Sequence, residues 1–514
     1  MKTSDLALDL SRLAAPLPIW HAVVDVDGWR KTAMTAARAE QRLVALWGQQ
    51  APHAERLTIC AAYALADGLL WIDLTLPDGL TTYPDLSALF PFAGRMQRAT
   101  ADLLGIRPDG DTDDRPWLDH GAWTGAAFAL RRAPAPRAGD DAREPTEYPF
   151  VRVEGDGVHE IPVGPVHAGI IEPGHFRFSI VGEKVLRLEE RLGYVHKGIE
   201  RRFTELTPAD GYRLAGRVSG DSTVAYAWAY CMALESALRC SVPARAAAVR
   251  ALMLERERVA NHLGDLGALG NDAALSFGLA QFSRLREDWL RLSMAAFGHR
   301  LMMDCVVPGG VSHDLDTALI VRMHSQCEAV EGELKTLRAI YDEHAGLQDR
   351  FIGTGRVAPE LARQLGLAGL AGRASGQACD LRCDHAWAPY DTLAVNKAGS
   401  TAGDVAARVA LRFDEAIESL RLIRSLCTSL PAGDLRNDLA AATGAARGAG
   451  WVEGWRGEVL VALELTDGAI HRCHCHDPSW QNWPVLEHAV MGNIVPDFPL
   501  INKSFNLSYS GHDL

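Results

Sequence analysis

The chain has 514 residues, 48% of them hydrophobic, with 65 acidic against 52 basic side chains and a formal charge of −13. That balance excludes a nucleic-acid groove, because phosphate binding needs a clustered excess of Lys and Arg. The length exceeds a single typical domain, so two or more hydrophobic cores are expected.

Asp5, Asp9 and Arg12 interrupt any apolar export segment, which predicts a cytoplasmic protein. No window reaches the roughly 18 uncharged apolar residues of a spanning helix, so membrane attachment is expected only through partner subunits. The ten cysteines are scattered, and buried reduced thiols are expected at Cys60, Cys231, Cys240, Cys305, Cys327 and Cys427, without disulfides.

In chain order, residues 56–63 and 69–76 are β-prone runs separated by Ala66-Asp67-Gly68, a hairpin signal. Residues 90–106 carry apolar side chains at helical spacing and end at Gly105. The stretch 131–147 is polar and Pro-rich with no apolar period, so it reads as an exposed linker between two units. After it, residues 176–188 alternate around Val181-Gly182-Glu183-Lys184 as a second hairpin, and 198–430 read as helical. Val249, Leu252, Met253, Ala260 and Leu263 form one apolar stripe, and Leu285, Trp289, Leu290 and Leu292 behave similarly, which predicts a bundle. Residues 458–465 and 469–475, joined by Thr466-Asp467-Gly468, form a third hairpin that delivers Asp477-Pro478-Ser479 to the bundle.

His471, Cys473, His474, Cys475 and His476 invite a zinc reading, with Cys379 and Cys383 as a distant second pair. Strand alternation sends His471, Cys473 and Cys475 to one face and His474 and His476 to the other, so ordinary strand residues are the expected outcome. His262 and His299 are expected to be satisfied core histidines. No strand leads into G-x-G-x-x-G and a helix, so no nicotinamide site is expected here.

Two motifs carry the strongest signal. Arg217-Val218-Ser219-Gly220-Asp221-Ser222 and Asp477-Pro478-Ser479-Trp480-Gln481-Asn482 resemble the R-x-C-G-x-C and D-P-C-x-x-C motifs of nickel-iron hydrogenase large subunits. Gly164-Pro165-Val166-His167, the blocks 172–177, 194–200, 257–265, 298–304 and 307–311, and the run 493–507 extend the likeness over roughly 160–514. They are similar to the large subunits of hydrogenase-4 and formate hydrogenlyase, in a superfamily shared with the quinone-site subunit of respiratory complex I. The resemblance implies an α+β fold: a small N-terminal α+β domain at 1–130, a linker at 131–150, and at 151–514 a mainly helical bundle with peripheral hairpins. Within 1–130 the family's acidic helix residues are replaced by Gly94, Met96 and Thr100.

The resemblance also places the four thiolate ligands of nickel at Ser219, Ser222, Ser479 and Asn482. Hydroxyls and an amide are hard, neutral donors and poor substitutes for thiolates, so no metal is expected. Glu172 falls where hydrogenases have a proton-carrying glutamate, and a dry cleft would suit it to that work near neutral pH. Arg456 resembles the arginine held over the metal. His167 matches the first histidine of the complex I quinone motif, whereas the second corresponds to Ile171 and the quinone-binding tyrosine to Gly220. Asp221, Ser222, Tyr226, Ser479 and Asn482 are left to make the cleft polar. The implied role is electron transfer from an iron–sulfur cluster in a small partner subunit to quinone or another small acceptor, coupled to ion movement through antiporter-like membrane subunits. A non-catalytic coupling subunit and a true nickel-iron hydrogenase are the competing readings.

Overall fold

Alternating apolar residues and short turns build the N-terminal sheet, which in the computed structural model has the order β1 (Ser11–Arg12), β2 (Ile19–Val24), β5 (Gly68–Thr75), β4 (Leu57–Leu65) and β3 (Arg42–Gln50). The structure describes all residues except 53, 111–112, 122, 124–127, 132–146 and 168–170. The predicted hairpin is the antiparallel β4–β5 pair, closed where Leu65 faces Gly68. Strands β2 and β5 run parallel, and the other neighbours are antiparallel. Helix α1 (Val26–Arg38) starts at Asp25, whose carboxylate accepts the Gly28 N–H at 2.7 Å. Helix α2 (Ala93–Leu104) stops at Gly105, held at φ +71°, a left-handed cap that favours glycine. Met96 and Thr100 are buried on it, whereas Gly94 is half-buried with open space where a Cβ would stand. A short parallel pair, β6 (Thr82–Pro84) and β7 (Arg107–Asp109), completes this part. The expected linker lies largely outside the described residues.

The second predicted hairpin is β9 (His175–Val181) with β10 (Lys184–Arg191), and β8 (Val158–Val163) adds an unforeseen third strand to β9. Short helices α3 (Ile199–Phe203) and α4 (Gly211–Ala215) lead into the bundle: α5 (Thr223–Leu238), α6 (Ala244–Asp272), α7 (Ser276–Phe297), α8 (Thr317–Glu343) and a later helix over Val405–Thr428. The helical expectation for 198–430 needs correction. Val306–Val307 and Gly310–Val311 pair as β11 and β12 around Pro308-Gly309, where proline and glycine break the helical period. Five short helices, α9 (Ala345–Phe351), α10 (Pro359–Gln364), α11 (Gly369–Ala374), α12 (Leu381–Asp384) and α13 (Tyr390–Leu393), then separate α8 from α14 (Val405–Thr428).

Helix α5 is buried on all sides from Thr223 to Ser236. The third hairpin, β14 (Glu458–Thr466) with β15 (Ala469–His476), is extended by β13 (Ala445–Glu453) into a three-stranded meander that lies on α5. Contact is close enough that a Cβ on Gly448 or Gly450 would sit 2.0 Å from the Ala233 carbonyl or 1.9 Å from the Ala229 carbonyl, so only glycine fits. Helices α15 (Ser479–Ala489), α16 (Phe498–Phe505) and α17 (Tyr509–Asp513) close the chain around the end of β15.

The N-terminal sheet is stitched to this body by polar contacts: Gln481 Nε2 donates to the Val44 carbonyl at 2.5 Å, and Arg472 Nε to that of Gly48 at 3.0 Å. One continuous apolar core runs through both. All ten cysteines are free thiols, and Cys240 is half-buried, not buried as expected, because it follows the last turn of α5. Among the described residues no helix is long and apolar enough to cross a membrane.

Candidate functional site

Four chain segments converge on Asp221. The motif at 217–222 leads into α5, the tight turn 454–457 between β13 and β14 supplies Arg456, the 477–482 motif joins β15 to α15, and residues 506–511 pass between α16 and α17. Arg456 donates through Nη1 and Nη2 to the two Asp221 oxygens at 2.9 and 2.5 Å, through Nη1 to Ser222 Oγ at 3.3 Å, and through Nε to the Asn506 carbonyl at 2.6 Å. Lost hydration opposes the charge on Asp221, but the Arg456 guanidinium outweighs it and holds the carboxyl below the usual range. Asp221 nevertheless keeps 38% of its side chain exposed, so this is the open end of the network. Its backbone carbonyl accepts Asn261 Nδ2 at 2.7 Å and Trp455 Nε1 at 2.9 Å.

The serines extend the network inward. Ser219 Oγ donates to Asp221 at 2.7 Å and lies 3.0 Å from Ser508 Oγ, while the Ser508 N–H donates to Ser479 Oγ at 2.9 Å. The Tyr226 hydroxyl donates to the buried Asp477 at 2.7 Å, and Asp477 also accepts the Ser479 N–H at 2.8 Å. Burial, with Asp477 adding its charge, pushes the Tyr226 hydroxyl well up, so it stays protonated. A Cβ on Gly511 would meet Asp477 Oδ2 at 2.4 Å, which fixes glycine where the tail crosses the motif.

The expected site therefore assembles at Asp221, Ser222, Tyr226, Ser479 and Arg456, with Ser219 between them. Three residues depart from it. Asn482 is turned away onto the 366–369 loop, where its amide accepts the Ala368 N–H at 2.9 Å and donates to the Ala368 carbonyl at 3.3 Å. His167 pairs within its own loop, Nε2 lying 2.9 Å from the Gly174 carbonyl. Glu172 reaches the tail, accepting the Ser510 hydroxyl and the Ser510 N–H at 3.2 Å. It is exposed, as is Ile171 beside it, so the dry setting expected for it is not provided by this chain.

Three participants escaped the sequence reading. Ser508 is invisible as a site residue, although its place three residues before Gly511 marks it as the cap of α17, whose Gly511 N–H it accepts at 2.9 Å. Lys197, inside the block 194–200, donates to the Val218 carbonyl at 3.2 Å, and burial lowers it while Glu172 and Asp513 pull it back up. Glu257 is buried against the first turn of α5, accepting the Val224 and Ala225 N–H groups at 2.6 and 3.2 Å, and burial pushes it up to about 8.

The histidine-rich strand end is occupied by protein contacts. His474 Nδ1 lies 2.6 Å from Glu200 and its ring stacks on Trp47 at 4.7 Å, while His476 Nε2 lies 3.0 Å from Gln481. Among the described residues no three His, Cys, Asp or Glu side chains are set to hold a metal. His262 is buried with Nε2 3.0 Å from Glu415, as expected, but His299 is only half-buried, just past the Gly298 cap of α7, where its Nδ1 accepts the Leu301 and Met303 N–H groups at 3.2 Å.

Comparison with known proteins agrees with this architecture. Residues 22–135 match the family of the 30 Kd subunit of respiratory-chain NADH dehydrogenase, and 272–449 match that of the 49 Kd subunit. The chain is 30% identical over 441 residues to formate hydrogenlyase subunit 5 of Escherichia coli (strain K12), covering 84% of this chain and 77% of that one. It is 31% identical over 351 residues to the carbon monoxide-induced hydrogenase of Rhodospirillum rubrum, covering 68% and 97%. NADH-quinone oxidoreductase subunit 4 of Thermus thermophilus is 27% identical over 390 residues, covering 70% and 95%. In fold it matches a chain of the membrane-bound sulfane sulfur reductase, an archaeal respiratory membrane complex, with a TM-score of 0.65, 23% identity, and coverage of 70% of this chain and 99% of that one.

Proposed function

Because the chain belongs to the family of formate hydrogenlyase and hydrogenase-4 large subunits, related to NADH-quinone oxidoreductase, we propose that it passes electrons from a partner's iron–sulfur cluster to quinone or another small acceptor. It acts as the large subunit of a membrane-bound oxidoreductase, peripheral on the cytoplasmic face, beside a small iron–sulfur subunit and antiporter-like membrane subunits whose ion movement the electron transfer drives. Residues 1–130 and 151–514 are its two units. Any nicotinamide is oxidised on another subunit.

The observation that carries this reading is the donor set. At the four positions assigned to nickel ligands, Ser219 and Ser479 are joined through Ser508, Ser222 accepts from Arg456, and Asn482 is bound to Ala368. Such neutral, already committed groups do not fit a nickel-iron centre. What the cleft offers instead is hydrogen bonding. Arg456 has five N–H groups, and the four bonds above leave one on Nη2 free to donate to an acceptor carbonyl. Reducing a quinone to the quinol takes two electrons, delivered singly by the partner's cluster, and two protons. Glu172, open to solvent and linked to the tail through Ser510, supplies protons to the mouth of the cleft.

The test is native purification of the complex, followed by elemental analysis and turnover with decylubiquinone. The expected result is co-purifying membrane and iron–sulfur subunits, no stoichiometric nickel, and quinone reduction. Stoichiometric nickel with hydrogen evolution, or a soluble monomer from intact cells, overturns the reading.

A further inference from the structure

Where the N-terminal sheet meets the body, the ends of β3 and α2, helix α3 and the start of β15 enclose a cavity of about 290 Å³. Its size sits at the small end of the roughly 300–1,000 Å³ typical of small-molecule sites, which concentrate where two domains meet. None of the residues that converge on Asp221 lines it. Among the described residues no carboxylate lines it either, and its Lys, Arg, Asp or Glu side chains are two arginines, Arg201 and Arg472.

Each cation can be matched against its partners. Arg472 is answered by Glu200, 3.0 Å away and buried behind it. Arg201 stands exposed on α3, and its guanidinium makes no hydrogen bond or ion pair among the described residues. At the rim, Arg131 Nε donates to the carbonyl of the lining residue Leu104 at 2.8 Å, and its guanidinium lies over the Phe128 ring at 4.7 Å, but no carboxylate pairs with it. Burial accordingly lowers Arg131, with Glu55 pulling it back only from beyond ion-pair distance. Glu205, exposed beside Thr204, pairs with neither arginine. Two positive charges therefore stand at this cavity unanswered. A phosphate monoester carries about −1.5 to −2 at neutral pH and accepts two guanidinium N–H groups at once, whereas a carboxylate brings a single charge. Half-buried Leu130, with Leu104 and Ile470 beneath it, offers an apolar wall to the rest of such a molecule.

We infer that this cavity binds a small organic phosphate monoester, with the phosphate between Arg201 and Arg131 and the carbon body against Leu130. The site is separate from the cleft at Asp221 and does not depend on the redox reading.

Calorimetric titration of the purified complex with phenyl phosphate tests it, beside inorganic phosphate, which lacks the carbon body, and benzyl alcohol, which lacks the charge. Saturable binding of phenyl phosphate is expected, with inorganic phosphate several-fold weaker and benzyl alcohol not bound. Arg201→Gln should weaken phenyl phosphate by about tenfold, the worth of one charge-assisted hydrogen bond, without changing unfolding, because that side chain holds no other contact. Arg131→Gln should weaken it to a similar degree. Arg202→Gln is the control, since Arg202 is exposed next to Arg201 but does not line the cavity, and it should leave binding unchanged. No saturable binding, equal affinity for phenyl phosphate and inorganic phosphate, unaltered binding in Arg201→Gln, or an equal loss in Arg202→Gln, which would mark a general attraction to a basic surface, would each overturn the inference.

Discussion

Arg456 and Asp221, 235 residues apart in the chain, are joined by two hydrogen bonds of 2.9 and 2.5 Å in a forked geometry. The fork fixes the guanidinium plane, and so the direction of the N–H that remains.

Arg456→Lys keeps the charge but cannot form the fork and still donate outward. Turnover with the acceptor should fall at least tenfold in an assembled complex. Asp221→Asn should instead lower stability, by about 1–3 kcal/mol, because it leaves the mostly buried Arg456 without its carboxylate, an effect moderated by the exposure of Asp221. Denaturant unfolding separates the two outcomes, and unchanged turnover in Arg456→Lys would remove Arg456 from the mechanism.

Glu172→Gln retains size and can still accept from Ser510, but carries no titratable proton. Turnover should drop by ~10²–10⁴, the usual worth of positioned proton transfer, without loss of assembly. Normal turnover would assign proton delivery elsewhere.

Asn482→Ala should cost about 2–4 kcal/mol in urea unfolding, since it strands the buried N–H and carbonyl of Ala368 together. A loss under 1 kcal/mol (roughly the worth of an ordinary surface change) would show that the loop does not depend on this amide.

Glu257 makes a pH prediction. It titrates near 4.5 when unfolded and is pushed up to about 8 by burial in the fold, so between these values the native state holds a proton that the unfolded chain has released. Its contribution to stability is present at low pH and is lost as pH rises through that window, with a slope of at most about 1.4 kcal/mol per pH unit. Glu257→Gln removes the slope, so the stability of the variant relative to the parent should rise from pH 5 to pH 8. Parallel curves would place Glu257 as an ionised cap of α5.

The hairpins at 57–75, 175–191 and 458–476 were legible because two-residue alternation and a Gly- or Asp-containing turn are local signals. Strand β13 was not. Its Ala445, Ala446, Gly448, Ala449 and Gly450 are weak strand formers, and the backbone of α5 leaves no room for a side chain at Gly448 and Gly450. The motifs carried Ser219, Ser222 and Ser479 to one place, yet the partner of Arg456 lay beyond the reach of spacing, since only folding brings 221 and 456 together. Ser508 stayed hidden because a capping serine looks the same whether or not it borders a cleft, and Ser510 because its partner Glu172 is 338 residues away in the chain. Asn482 was placed by its motif and misread in direction, since a motif gives position along the chain and not the rotamer.

Asn482 clasps Ala368, and the next residue, Gly369, lies so close to the turn that a Cβ there would be 1.8 Å from the Arg456 carbonyl. A position assigned by likeness to an ion ligand thus works as a dimensional stop. Its tolerance is handed from amide to loop, from loop to turn, and from turn to guanidinium, with backbone touching backbone where loop meets turn and no flexible side chain there to absorb slack. A displacement of Asn482 would press through Ala368 and Gly369 on the turn that carries Arg456, so the setting of that guanidinium depends on a residue of the next segment.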